Sequence, residues 1–213
     1  MSPVSKVYGA TYSTCTQRVL FLLEELGIPY ELVSISMKEG EHKTPTFVDQ
    51  QHPFGRLPAF EDATTKVFES RAICYYLAAK YGGPLRPPCE DVKLSRFQQA
   101  ASVEYSYFDP PITQLAYQKL FKRQMGQGEP DEQLVHECER RIQECLDYYE
   151  QLLGEDEYLA GKKFTLVDIF HAPWIAFLSR LEMESDISSR KNLNAWWDRV
   201  RNRPAWMAVT NMA

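Results

Sequence analysis

Residues 53–79 read PFGRLPAFEDATTKVFESRAICYYLAA. Two short apolar runs, 57–60 and 66–68, flank an acidic, threonine-rich turn and predict a β-hairpin. Apolar residues then recur at Ala72, Ile73, Tyr76, Leu77 and Ala79, which is helical spacing. A strand therefore delivers the carboxylate of Glu69 and the hydroxyl of Ser70 to the start of a helix. Unpaired backbone N–H groups at such a start favour an anionic guest. Upstream, Pro58 holds Leu57 extended. A cis Leu57–Pro58 bond would turn the Leu57 backbone N–H and C=O toward a peptide-like ligand. An ordinary hairpin packed on a helix is the plainer alternative, and this stretch alone does not choose between them.

The chain has 213 residues, enough for one large domain or two small ones. Its hydrophobic content of 44% and charged content of 25% are those of an ordinary globular protein. The net charge is −5, with no basic stripe or tail, which argues against a nucleic-acid partner because phosphate contacts need clustered Lys and Arg. No apolar run is long enough to cross a bilayer, so no membrane association is expected. No charged-then-apolar leader precedes the first strand, and a cytoplasmic location is expected. The five cysteines, Cys15, Cys74, Cys89, Cys138 and Cys145, are odd in number and form no CxxC pair. Reduced thiols fit that pattern. The four histidines are isolated and complete no zinc set, so no metal is expected.

Working outward, residues 6–8 form a first short strand that can begin at Val4. A loop of small and hydroxyl residues, 9–14, leads to an amphipathic helix marked by Val19, Leu20, Leu22, Leu23 and Leu26. Ser13 or Thr14 is the natural N-cap, and Gly27 with Pro29 stops the helix. Residues 30–35 read as a second strand, and a short irregular helix is expected around Phe47 and Val48. The order β-α-β-(short helix)-β-β-α over about eighty residues is a thioredoxin-like layout, a four-stranded mixed sheet with helices on both faces. Residues 81–88, YGGPLRPP, are the strongest punctuation in the chain. Beyond them the pattern is helical throughout. A long helix over 93–122 is bent or restarted at Pro110–Pro111. Another covers 132–153, and Thr165-Leu166-Val167-Asp168 is a capping box that opens a very apolar helix holding Pro173. A last amphipathic helix, 193–200, ends before Pro204. The expected class is α/β plus all-α. It consists of a thioredoxin-like domain at 1–82, a linker at 83–90 and a helical bundle domain at 91–213.

Taken in order, several short elements resemble the cytosolic glutathione transferases, and more narrowly their phi class. In the first domain they are Ser13-Thr14 with Arg18-Val19, Glu41-His42-Lys43, the run 53–60 and Glu69-Ser70-Arg71-Ala72-Ile73. In the second they are Val103-Glu104, Phe108-Asp109-Pro110, Tyr158-Leu159-Ala160-Gly161 and the capping box. The resemblance runs end to end and implies a glutathione S-transferase. It assigns Ser13 as the hydroxyl that activates the glutathione thiol. It assigns His42 and Lys43 to the glycine carboxylate, Leu57 before a cis Pro58 to the cysteinyl backbone, and Glu69 with Ser70 to the γ-glutamyl end. Arg56 stands where the family carries glutamine. An arginine still reaches a carboxylate, bidentately, but accepts no hydrogen bond. The resemblance also implies a homodimer, with Phe54 as a wedge into the partner.

The residue types match that chemistry without reference to the family. Glutathione carries two carboxylates, one ammonium and one thiol, so its recognition needs cations at one end and a carboxylate with helix-terminal donors at the other. A thiol of ordinary pKa, about 8.5, is mostly protonated at neutral pH. A hydroxyl donor at a helix N-terminus favours its thiolate. The electrophile would lie against an apolar pocket, for which Tyr12, Tyr107, Phe108, Ile112 and Leu115 are candidates. Aromatic residues at helical spacing are also what a core looks like. Two other readings stay open: a non-catalytic carrier of hydrophobic ligands, and a glutathione thioltransferase that uses Cys15.

Overall fold

Strand β1 (Ser5–Gly9) lies parallel to β2 (Tyr30–Ser34) and antiparallel to β3 (Ala59–Glu61), which in turn pairs antiparallel with β4 (Lys66–Phe68). The sheet order is β2-β1-β3-β4, the mixed four-stranded arrangement expected. These coordinates are a computed structural model that describes residues 5–212, so an extension of β1 to Val4 lies outside the described residues. The register sets Val7 opposite both Leu32 and Phe60, and Phe60 opposite Val67, giving one apolar row across the sheet. β3 starts two residues later than the hydrophobic run 57–60. Pro58 has no N–H to give a ladder, and pairing begins at the residue after it.

Helix α1 (Thr14–Leu26) is capped by Ser13 at its start and by Gly27, at φ 61°, at its end. Six consecutive residues, Arg18 to Leu23, are buried. A helix is buried all round only when it is covered all round. One cover is α3 (Ser70–Tyr81) and the other is α11 (Pro204–Thr210). Trp206 packs on Phe21 with ring centroids 5.1 Å apart, and Arg203 grips Glu25 through two 2.6 Å hydrogen bonds. The chain accordingly divides into one compact unit that runs to Pro87 and takes in everything from Arg201 onward, and a second, Pro88–Val200. The expected second domain, 91–213, loses its last residues to the first unit, because Trp206 and Val209 find their burial against α1. Between β2 and β3 the chain makes a 3₁₀ turn at Glu41–Lys43 and α2 (Pro45–Gln50), the short helix expected around Phe47.

The second unit is helical. Helix α4 (Asp91–Val103) runs through a π turn, Glu104–Phe108, into α5 (Asp109–Ala116). A second π turn, Tyr117–Phe121, leads to the short α6 (Lys122–Gln124). The long helix of 93–122 is thus continuous, with the π turn at Glu104–Phe108 directly before Pro110 and Pro111. Helix α7 (Glu132–Glu155) lays Val135, Cys138, Ile142, Cys145, Leu146 and Tyr149 into the core. Helix α8 (Leu166–Phe177) is buried on every side, as its composition predicts, and holds Pro173 in its interior. α9 (Glu184–Ser188) and α10 (Lys191–Arg201) complete the unit.

Two buried polar centres organise this bundle. Asp168 accepts from the backbone N–H of Leu159 (3.1 Å) and Thr165 (2.8 Å), the Thr165 hydroxyl (3.1 Å) and the Trp196 indole (2.8 Å). Its neighbour His171 lies between the Val167 carbonyl at 2.7 Å and the Tyr149 hydroxyl at 2.8 Å. A carbonyl only accepts, so Nδ1 carries the proton and Nε2 takes the tyrosine O–H. His171 is therefore a satisfied core histidine.

Candidate functional site

The β1–α1 connection sets the first functional group. Ser13 N–H donates to the Ala10 carbonyl at 2.9 Å, and Ala10 N–H donates to the Thr16 hydroxyl at 3.3 Å. A Cβ on Gly9 would meet Thr16 Cγ2 at 2.5 Å, so only glycine lets the strand end this close to the helix. The half-exposed Ser13 caps α1 by accepting the Thr16 N–H at 3.4 Å. Accepting uses an oxygen lone pair and leaves the O–H proton free to donate outward. No acidic side chain stands in the first turn of α1, so the positive end of the helix is not neutralised there.

A second helix start lies beside the first. Arg18, 0% exposed, reaches from α1 with Nη1 at 3.4 Å from both Cys15 Sγ and Ser70 Oγ. The guanidinium thus ties the first turn of α1 to the first turn of α3. Beneath it, Cys74 gives its thiol to the Arg18 carbonyl at 3.7 Å, and burial pushes that thiol up to about 12, where it stays inert. Helix α3 has no side-chain cap and no acidic residue in its first turn. Glu69, which precedes it, adopts φ 70° and ψ 115°, a conformation of order 1–3 kcal/mol unfavourable for a residue with a Cβ. Its carboxylate is exposed, and Ser70 is buried against Arg18.

The cationic end is built by the 3₁₀ turn Glu41–Lys43 and the turn at 53–56. Lys43 Nζ donates to the Phe54 carbonyl at 3.0 Å, and its ammonium keeps further protons to give. Gly55 sits at φ 56°, where a Cβ would strike the His42 carbonyl at 2.6 Å, and this close approach joins the two turns. His42 Nδ1 is buried with no hydrogen-bond partner among the described residues. Burial, then the Lys43 ammonium, hold the His42 imidazole below its ordinary range, so it is neutral at pH 7. A neutral imidazole can still give a carboxylate a hydrogen bond. Arg56 is exposed and enters no hydrogen bond or ion pair among the described residues. The Leu57–Pro58 bond is cis, and the Leu57 backbone takes no hydrogen-bond partner among the described residues. An orphaned ring nitrogen, unspent ammonium protons, a free guanidinium and an unpaired backbone edge fit a polar, peptide-like guest.

The expected apolar pocket divides. Tyr12, 55% exposed in the first unit, and Tyr107, 63% exposed in the second, offer surface to a ligand. Phe108, Ile112 and Leu115 do not, being 0% exposed. Phe108 stacks on His171 at 5.2 Å and meets Tyr149 edge-on at 5.9 Å, and α5 packs its apolar face against α7. The helical spacing of these three residues marks core. In the second unit Tyr107 lines a cavity of about 350 Å³ with Val103, Arg141, Cys145 and Tyr148.

Two residues of the site carry no role in the sequence reading. Arg18 has a visible signal, a charge at the head of the apolar run 19–23. His52 has none, since a lone histidine before Pro53 belongs to no pattern. It is 1% exposed, with Nε2 3.8 Å from Glu69 Oε1. All five cysteines are free thiols. Among the described residues no group of three or more His, Cys, Asp or Glu could hold a metal ion, and no helix is long and apolar enough to cross a membrane.

Family models for the glutathione S-transferase N-terminal domain and C-terminal domain match residues 3–79 and 108–204. Glutathione S-transferase PM239X14 of Arabidopsis thaliana is 43% identical over 196 residues, covering 90% of this chain and 89% of its own. The crystal structure of glutathione transferase F7 from Populus trichocarpa superposes with a TM-score of 0.91 at 33% identity, over 98% of this chain and 99% of that one. Glutathione S-transferase I from mais, solved in complex with an atrazine glutathione conjugate, superposes with a TM-score of 0.89 at 30% identity, over 99% of this chain and 98% of that one.

Proposed function

The chain belongs to the glutathione S-transferase family, with relatives of its F, or phi, class, and on that premise we propose that it is a serine-type enzyme conjugating glutathione to hydrophobic electrophiles. Glutathione is the co-substrate. Its sulfur lies at the Ser13 hydroxyl, at the uncompensated N-terminus of α1. Its γ-glutamyl ammonium pairs with Glu69, and the adjoining carboxylate takes Ser70 and the free N–H groups of α3. Leu57, before Pro58, pairs with the cysteinyl backbone. The glycine carboxylate goes to Lys43, the neutral His42 and Arg56.

The observation that carries this reading is the Ser13 hydroxyl, which accepts from Thr16 at 3.4 Å and so keeps its proton for a guest. Hydrogen bonding and the helix field stabilise the thiolate, the thiol proton passes to solvent, and the sulfur lone pair attacks the electrophilic carbon as its leaving group departs. Within the first unit, Tyr12 is the exposed aromatic offered for the electrophile. The conjugate held by the mais enzyme makes an activated aromatic halide a suitable probe. The protein should be retained on immobilised glutathione, be eluted by free glutathione and turn over such a halide. Retention without turnover would leave a carrier.

Lys43→Ala and Glu69→Ala each remove the partner of a ligand charge. Each should weaken glutathione binding about tenfold, or roughly 1.4 kcal/mol, with little change in thermal midpoint. Unchanged dissociation constants by titration calorimetry would remove the assigned site.

Arg56 adds a long-range attraction. Glutathione affinity should fall as salt rises past the point where the Debye length is ~8 Å, and Arg56→Gln should flatten that slope. An equal slope in both proteins would mean that Arg56 takes no part.

The proposed assembly is a homodimer. Phe54, 68% exposed, presents its ring at 6.4 Å from Phe68, an apolar surface that a second copy would cover. Sedimentation should give a dimer, and Phe54→Ala should raise its dissociation constant at least tenfold. A wild-type monomer at micromolar concentration would overturn this.

A further inference from the structure

His52 is buried within the proposed glutathione site, yet none of the roles assigned above uses it. Its Nδ1 accepts the Phe54 N–H at 3.3 Å. The proton of the neutral ring is therefore on Nε2. That N–H faces Glu69 Oε1 at 3.8 Å, just beyond direct hydrogen-bond length. The ring is wedged between Phe68, at a centroid distance of 4.8 Å, and Phe54, at 6.2 Å. Glu69 holds a left-handed backbone conformation at φ 70°, which a side-chain anchor helps to maintain. We propose that His52 is a positioning residue that aims the Glu69 carboxylate at the γ-glutamyl ammonium and links it to the Phe54–Gly55 turn at the glycine end. This inference rests on the glutathione site proposed above and deepens it.

The anchor also makes binding depend on pH. The charged groups facing His52 are Glu69 at the start of α3, Arg56 in the turn before Pro58 and Lys43 in the 3₁₀ turn. Burial comes first, and with Arg56 and Lys43 it outweighs Glu69 and holds the imidazole below its ordinary range. A bound ammonium beside the same carboxylate depresses it further. Proton and ligand therefore compete, and affinity falls as pH drops through the titration of His52, below about 6.5.

Three variants separate the parts. His52→Asn keeps an acceptor for the Phe54 N–H but is too short for Glu69. His52→Gln returns an amide N–H near the place of Nε2 and does not titrate. Glu69→Gln tests the carboxylate itself. Steady-state kinetics use glutathione, its analogue lacking the γ-glutamyl amine, and an activated aryl halide. Circular dichroism and thermal midpoints report folding. His52→Asn should raise the glutathione KM three- to tenfold with kcat within twofold, and leave the KM for the des-amino analogue unchanged. His52→Gln should stay within twofold of wild type at pH 7. The wild-type dissociation constant for glutathione should rise below pH 6, while both His52 variants stay flat beside it. Equal losses with the analogue, equal glutathione KM values for the Asn and Gln variants at pH 7, or an acid rise that persists in both would overturn the proposal. If Glu69→Gln leaves the glutathione KM unchanged, the Glu69 assignment falls and this inference with it. If Glu69→Gln raises KM and His52→Asn does not, the inference alone falls.

Discussion

Ser13→Ala should lower kcat/KM for conjugation about 20- to 100-fold at pH 7, with the glutathione KM nearly unchanged. The hydroxyl's one free proton is the donor aimed at the guest, and Thr16 N–H has already taken an acceptor position on the same oxygen. Without that donor the bound thiol returns toward its free pKa of about 8.5, and at pH 7 only a few per cent of it is thiolate. The deficit should therefore shrink as pH rises and approach wild type above pH 9. A deficit that stays constant with pH would place the serine's contribution in the transition state alone. No deficit at all would remove Ser13 from the chemistry. Because Ser13 also caps α1, part of any stability loss, about 1 kcal/mol, belongs to the cap. Thermal midpoints separate that part.

Asp168→Ala should be the most damaging single change to the fold, costing ~3–5 kcal/mol and about 10 °C in thermal midpoint. Four donors converge on this 0%-exposed carboxylate: Leu159 N–H, Thr165 N–H, the Thr165 hydroxyl and the Trp196 indole. Alanine strands the three N–H donors in a buried site that also holds the N-terminus of α8. Asp168→Asn keeps an acceptor for some of them and should cost about half as much. Burial pushes the Asp168 carboxyl up and the donors pull against it, with burial prevailing. A carboxyl so raised stabilises the fold most in its protonated form, and that contribution is lost as pH climbs through its folded value. The loss on Asp168→Ala should therefore be no smaller at pH 5 than at pH 8 in a denaturant titration. A midpoint within 2 °C of wild type would show that the capping box is dispensable.

The residues that show in the sequence are those whose role is local. Thr165 and Asp168 announce a capping box by spacing, Ser13 and Gly27 announce helix ends, and alternation around a threonine-rich turn announces the hairpin. Long-range partners are another matter. Nothing in residues 204–210 says that Trp206 belongs on Phe21 and not in the helical bundle, because amphipathic spacing names a face and not what covers it. The π turns at Glu104–Phe108 and Tyr117–Phe121 leave only Pro110–Pro111 as a trace. The spacing of Phe108, Ile112 and Leu115 suits a ligand pocket and a core alike, and all three are 0% exposed. His52 is silent for the same reason as Trp206. Its meaning comes from Glu69, seventeen positions on, reached only after the hairpin has folded back.

Arg18 bears on the one rival chemistry. Its Nη1 contacts Cys15 Sγ at 3.4 Å, so a hydrogen-bond donor stands at that sulfur as well as at Ser70. Residues two apart in a helix do not share a face, and Ser13 and Cys15 cannot both point to one bound sulfur. A thioltransferase would reduce a glutathione mixed disulfide through Cys15 and lose that activity in Cys15→Ser. A conjugating enzyme would not.

The most direct test of the account is a titration of enzyme-bound glutathione, reading thiolate by ultraviolet difference absorbance in wild type, Ser13→Ala and Cys15→Ser. The predicted result is a bound thiol at least one unit below its free pKa in wild type and in Cys15→Ser, and back within half a unit of the free value in Ser13→Ala. A bound pKa indifferent to Ser13, or one that moves only in Cys15→Ser, would contradict the claim that Ser13 makes the nucleophile.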